Sequence, residues 1–297
     1  RPVSSAASDV YKRQDYTVYK TIPMSGTTLT SLSIGGEDGT HYVGLTSIRI
    51  NGKELVNSNV TLVNVPSIAT TVRANPSAGF SIVSYTGTGA AATVAHGLNA
   101  APEFIITKAR SNATNWVTGH SGIGWGNFLF LDTTDASGAS AAVWNSTAPD
   151  SNVFSVASSS YINPSGSGVI AYCFAPVEGY SKFGKYIGNG SADGPFIYTG
   201  FRPAWLLIKD TTSAYNWLVF DSERSTYNIV NNVLHPNDLL TENGSGAFNW
   251  LDFTSNGFKH RNTGLWHNKS GDTYIYAAFA ENPFKTCLLY TSPSPRD

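Results

Sequence analysis

The side chains best suited to chemistry in this sequence are its carboxylates: Glu103, Asp132, Asp135, Asp221, Glu223, Asp252 and Glu281. Glycoside hydrolysis needs two such groups facing one another across a cleft, one as acid and one as base or nucleophile. The histidines offer less. His41, His96, His120, His235, His260 and His267 lack the paired short spacing of a zinc site, so no metal is expected. Asp132-Thr133-Thr134-Asp135-Ala136-Ser137-Gly138 gathers oxygen donors as a calcium loop would, but without the full ligand spacing and terminal bidentate Glu, and it reads as a polar turn. Ser165-Gly166-Ser167-Gly168 lacks the Lys and helix of a phosphate loop. Cys173, in Val169-Ile170-Ala171-Tyr172-Cys173-Phe174-Ala175, reads as a buried structural thiol. No catalytic residue and no cofactor is expected.

The aromatic residues remain. A sugar ring can stack on any exposed, fixed indole or phenol flanked by amides and hydroxyls. Trp125, Trp144, Trp250 and Trp266 lie in Gly-, Asn- and Ser-rich surroundings that suggest loops. Together with Tyr227, His120 and His267 they are the candidates for ligand contact. Trp116 and Trp217 sit in apolar runs and read as core.

The elements that must position these groups follow from composition and pattern. Charged residues make up 13% of the 297 and aromatics 12%, with 28 Gly, a balance that suits short strands and tight turns rather than long helices. The net charge of −1, with no basic run, argues against nucleic acid, and no apolar stretch is long enough to insert in a membrane.

Compared with itself, the chain matches at an offset of 101. Tyr85, Gly87 and Gly89 become Tyr186, Gly188 and Gly190, while Lys108, Asn115 and Trp116 become Lys209, Asn216 and Trp217. After a small shift, Asn163, Ser165, Gly166 and Phe174 match Asn268, Ser270, Gly271 and Phe279. The unit is about 100 residues, enough for a small domain rather than a solenoid turn. The repeat also tests the carboxylates: Asp221 faces His120 and Glu103 faces Ala204, so neither recurs, and the chain is not expected to be an enzyme.

Apolar runs at 104–106, 128–131, 205–208, 217–220 and 274–279, bounded by turn residues, predict strands. The fold class is therefore mainly β, with tandem antiparallel β-sandwich modules at 75–184 and 185–286 arising from internal duplication. Residues 15–74 read as the C-terminal part of a truncated lectin-like β-sandwich, with Asn51-Gly52 as a hairpin turn and 71–79 as linker. The runs at 1–14 and 287–297 resemble translated adapter sequence from metagenomic assemblies and are set aside as non-native tails.

Three stretches carry a family resemblance: Ala78-Gly79-Phe80-Ser81-Ile82-Val83-Ser84-Tyr85-Thr86-Gly87-Thr88-Gly89, Gly194-Pro195-Phe196 to Gly200-Phe201-Arg202-Pro203, and Tyr274-Ile275-Tyr276-Ala277-Ala278-Phe279-Ala280-Glu281-Asn282-Pro283-Phe284. Over roughly 76–286 the chain resembles an uncharacterised domain family common in structural proteins of marine tailed phages. The resemblance implies a virion tail protein made in the host cytoplasm, a tail fibre or adhesin. Its expected partners are a host cell-surface glycan or receptor and other virion tail proteins, with a homotrimer possible. The alternatives are a phage-tail polysaccharide depolymerase and a secreted bacterial lectin-like adhesin.

Overall fold

The computed structural model describes residues 48–50, 53–55, 66–242 and 250–283, and it is mainly β with several antiparallel sheets. The chain divides into two compact units at Thr61/Leu62. In the first, β1 (Ile48–Ile50) pairs antiparallel with β2 (Lys53–Leu55), Ile50 opposite Lys53. The connecting Asn51 and Gly52 lie outside the described residues, as do both terminal runs.

The second unit opens with β3 (Thr70–Asn75), β4 (Phe80–Thr86), β5 (Ala92–Ala95), β6 (Phe104–Ala109), β7 (Val117–His120), β8 (Asn127–Phe130) and β9 (Gly138–Ala139). A four-residue helix α1 (Ala141–Trp144) leads to β10 (Val153–Val156) and β11 (Gly168–Phe174). These form a seven-stranded sheet in the order β3-β4-β11-β6-β7-β8-β9 and a small sheet of β5 and β10. The linker expected at 71–79 is instead edge strand β3 and a 3-10 turn, because Arg73 and Thr71 pair with Ile82 and Ser84 of β4.

The remainder comprises β12 (Ser181–Ile187), β13 (Phe196–Tyr198), β14 (Pro203–Asp210), β15 (Leu218–Asp221), β16 (Leu251–Thr254), β17 (Gly257–His260), α2 (Leu265–Asn268) and β18 (Thr273–Ala280). Its sheets run β12-β18-β14-β15 and β13-β17-β16. All five apolar runs read from the sequence coincide with strands β6, β8, β14, β15 and β18.

Why these strands stack is visible in their alternation. In β11, Val169, Ala171 and Cys173 are buried while Ile170, Tyr172 and Phe174 are half-buried, so the two faces meet different neighbours. The buried face joins Tyr85, Trp144, Phe154 and Ile162 in a first core. In the second half, Tyr186, Ile208, Phe220, Phe253, Phe258 and Tyr274 form another. A third core lies between the halves, where Phe104, Leu129 and Phe174 meet Phe183, Leu207, Trp217, Ile275 and Phe279. The two large sheets therefore pack face to face, each with a small sheet on its far side.

The residues repeated in the sequence build the same knot twice. Tyr85 donates its hydroxyl to the Ile162 carbonyl at 2.6 Å, and Tyr186 donates to that of His267 at 2.8 Å. Asn163 Oδ1 accepts the Thr88 N–H, as Asn268 Oδ1 accepts that of Asn189. Gly87 and Gly188 must lack a side chain, since a Cβ there would overlap the Pro164 and Lys269 carbonyl oxygens. Gly188→Ala should accordingly cost about 3 kcal/mol, at the upper end for overpacking against backbone, read as a shift of the urea midpoint; a change under about 0.5 kcal/mol would show the knot to be soft.

Candidate functional site

The structure places most of the aromatic candidates inside. Trp144, in α1, is fully enclosed, and Trp125 meets it edge to face with centroids 5.5 Å apart; both rings lie over Gly119, where no Cβ would fit. Their Gly-rich context reflects close ring packing rather than exposure. Trp250 is buried too, 5.0 Å from His267 and 6.1 Å from Trp266, which is half-buried against the second core. Three of the seven candidates thus come together, but as packing. Trp217 is core as expected, whereas Trp116 is half-buried and stacks on Tyr172. Only Tyr227, 84% exposed, stands in solvent as proposed.

The two candidate histidines are also interior, and their hydrogen bonds fix their tautomers. His120 Nδ1 accepts the Gly122 N–H at 2.9 Å, so Nε2 carries the proton and donates to the Tyr276 carbonyl across the shared core. Burial lowers its pKa to about 4. Asn262 Oδ1, fixed as acceptor by the Gly264 N–H, accepts a hydrogen bond from His267 Nε2–H at 2.8 Å. His267 Nδ1 is then bare and accepts from His260 Nδ1 at 2.7 Å. His260 Nε2 is left buried without a hydrogen-bond partner among the described residues. Burial pushes His267 down to about 3, and burial with the neighbouring His267 holds His260 well below its ordinary value. Both rings are therefore neutral at neutral pH, and both are enclosed.

One carboxyl pair, missed in the sequence because its members lie 62 residues apart on β14 and before β18, does meet: Asp210 and Asp272. Asp210 Oδ1 accepts the N–H groups of Thr212 and Ser213 at 2.8 and 2.9 Å. Asp272 Oδ2 accepts Ser213 Oγ at 2.7 Å and Lys269 Nζ at 3.0 Å. Burial raises Asp210; it raises Asp272 too, but hydrogen bonds from Ser213, Lys269 and Asp210 outweigh it and hold Asp272 low. Of the two, Asp210 is the more readily protonated. Both groups are enclosed, which does not suit chemistry across a cleft. Asp132 and Asp135 likewise serve structure: Asp132 accepts the Trp116 N–H ahead of the neighbouring strand, and Asp135 accepts the Thr133 hydroxyl within its own turn. Cys173 is buried and its pKa is pushed up to about 12, which leaves it a thiol.

The surface best arranged for recognition is the outer side of β13-β17-β16. Ile197 points into the core, so its neighbours Phe196 and Tyr198 point out, 46% and 58% exposed. Lys182 lies 5.1 Å over the Tyr198 ring and donates to its carbonyl at 3.0 Å. Beside Phe196, on the paired strand, Lys259 holds Asp193 at 2.7 Å, and beyond it Arg261 holds Asp252 at 2.5 Å. Two rings thus share a face with two ion pairs and the half-buried Thr254. The sequence signal was the alternation Phe196-Ile197-Tyr198 between Gly194 and Gly200, read only as part of a motif. The first half offers no counterpart, since β5 reads Ala92-Thr93-Val94-Ala95.

Among the described residues no group of three or more His, Cys, Asp or Glu could hold a metal ion, and no helix is long and apolar enough to cross a membrane. No curated protein and no solved structure matches the chain. A family model does, over residues 26–283, so the match begins well upstream of the boundary near 76 and takes in the β1–β2 hairpin. Because that model spans most of the sequence, the chain belongs to the family described as a domain of unknown function, DUF7483.

Proposed function

We propose that this chain is a structural and adhesive module of a tailed-phage tail that contacts a host-surface glycan through the outer face of β13-β17-β16. The observation that carries the reading is the exposed pair Phe196 and Tyr198, two residues apart on one strand face beside Lys259, Asp193, Arg261 and Asp252. Ring faces take the C–H side of a pyranose, and the flanking charged groups supply hydrogen bonds to its hydroxyls. The resemblance of the repeated motifs to marine phage structural proteins supports the virion setting. The two halves are read as copies of one duplicated unit, supported by the shared order β4-β11-β6-β7 and β12-β18-β14-β15 and by the twice-built tyrosine–glycine–asparagine knot.

The test is binding of the purified chain to marine bacterial cells and to a glycan array, with Phe196→Ala/Tyr198→Ala compared. Binding should fall at least about tenfold, the loss of two stacking contacts at about 1 kcal/mol each, while the melting temperature holds because both rings are already wet. Undiminished binding by the double variant would remove this face from the account.

A further inference from the structure

The face that carries Phe196 and Tyr198 also carries an unbalanced charge. Lys182 of β12 lies on the same side of its strand as Tyr186, which belongs to the second core, so its stem runs beside β13 and its ammonium reaches the Tyr198 carbonyl and ring. One carbonyl takes one of the three donors of an ammonium, which leaves donors over for a ligand. Among the described residues no carboxylate pairs with it: Glu103 feels its charge, which partly offsets the rise that burial gives that carboxyl, yet the two form no ion pair. Lys259 and Arg261, by contrast, are each held by a carboxylate, Asp193 and Asp252. The described face therefore sets three cations against two anions, on a chain whose net charge is −1.

The strand register gives this charge a setting. Phe196 lies opposite Lys259, and Lys259 opposite Asp252, so one row across the small sheet is ring, cation and anion. In the next row Tyr198 lies opposite Gly257, and Gly257 opposite Thr254. Gly257 puts no side chain between them, and a Cβ there would come within 3.0 Å of the Phe196 ring. The result is a shallow floor two strand spacings wide, about 10 Å, with rings and Lys182 on one side and a hydroxyl on the other. The first half has neither part of this arrangement: the repeat position of Lys182 is Ser81, which is buried, and β5 brings no ring.

Resting on the glycan reading of this face, we infer that the sugar it takes is acidic, its carboxylate or sulfate meeting the Lys182 ammonium at the rim of the Tyr198 ring. A neutral sugar laid on the rings would strip water from that ammonium without giving it a counter-charge, whereas an anionic one pairs it. Lysine is a point charge rather than a planar fork, so either anion satisfies it. Charge matching of this kind selects among ligands more than it adds affinity. Polyanions in general gain little, because the chain as a whole offers no positive field to draw them in.

The experiment is calorimetric titration of the full chain with three short probes of equal length: an oligouronate, a sulfated oligosaccharide and a neutral oligoglucoside. At low salt an acidic probe should bind about fivefold tighter than the neutral one, the upper worth of one exposed charge pair, and the advantage should shrink as salt rises. Which acidic probe binds tells carboxylate from sulfate. Lys182→Gln removes the charge and keeps a donor for the Tyr198 carbonyl, so it should erase the advantage at an unchanged melting temperature, and Lys182→Arg should retain it. Phe196→Ala/Tyr198→Ala should weaken all binding. Equal binding of acidic and neutral probes, lost only in the double variant, would overturn the inference and leave the glycan reading standing. An acidic preference that survives Lys182→Gln would overturn it equally. Binding that the double variant leaves untouched, or no binding by any probe, would remove the glycan reading and the inference together.

Discussion

Replacing Trp217 with alanine is expected to cost about 4 kcal/mol, against about 1 kcal/mol for the same change at Trp116. The two residues hold the same repeat position, so chain neighbourhood cannot explain a difference. Trp217 is enclosed in the core between the two large sheets and donates Nε1–H to the Phe130 carbonyl of the opposite half at 2.8 Å. Truncation there opens a cavity that rigid sheets cannot close and takes the indole donor from a part-buried carbonyl. Trp116 keeps part of its surface in water and stacks on Tyr172 with centroids 6.4 Å apart. Urea unfolding of both variants measures the contrast. Equal losses would mean that the shared core does not hold the halves together, and that each sheet stands on its own far-side packing.

The same pair of tryptophans shows how much the sequence disclosed. Residues that recur at a fixed offset do so because each closes a local knot: the recurrence of Tyr85, Gly87 and Asn163 was legible in the sequence, while the hydrogen bonds and the close backbone approach behind it required the fold. The strand runs were legible for the same reason: alternation and turn residues act within a few positions. Exposure was not, because it depends on which sheet face another sheet covers. Here the large sheets are covered on both sides, so aromatic residues in polar surroundings, such as Trp144 and Trp250, still end in cores. The face left open belongs to β13, three residues long, whose alternation gives two faces without saying which is wet. Strand β3 was hidden behind Pro76 and Gly79, which mark the turn after it, not a break in pairing. The Asp210–Asp272 link could not be seen at all, since two distant strands must meet to make it.

Stability should fall steeply between pH 6 and pH 4, because the fold buries histidines in their neutral form. A histidine whose folded pKa lies below its unfolded value is protonated first in the unfolded chain, so its contribution is complete above about 6.5 and is lost as pH falls toward the folded value. For His120 that interval runs down to about 4, and for His267 to about 3. Each costs about 1.4 kcal/mol per pH unit inside it. At pH 4.5 these two alone remove roughly 5 kcal/mol, comparable to the whole stability of many domains. His260 and His96, both lowered chiefly by burial, act in the same direction. Asp210 and Glu103, both raised by burial, act against them, since a raised carboxyl pKa favours the folded state at low pH, but they are two groups against four. Thermal melts from pH 7 to pH 4 should therefore show a falling midpoint and acid unfolding in the lower part of the range. His120→Gln keeps a donor for the Tyr276 carbonyl without a titrating ring, and should flatten the decline by the share of one histidine. A midpoint that holds steady to pH 4 would mean that these imidazoles take up protons without leaving the core, and that the His260–His267 contact is far wetter than its geometry indicates.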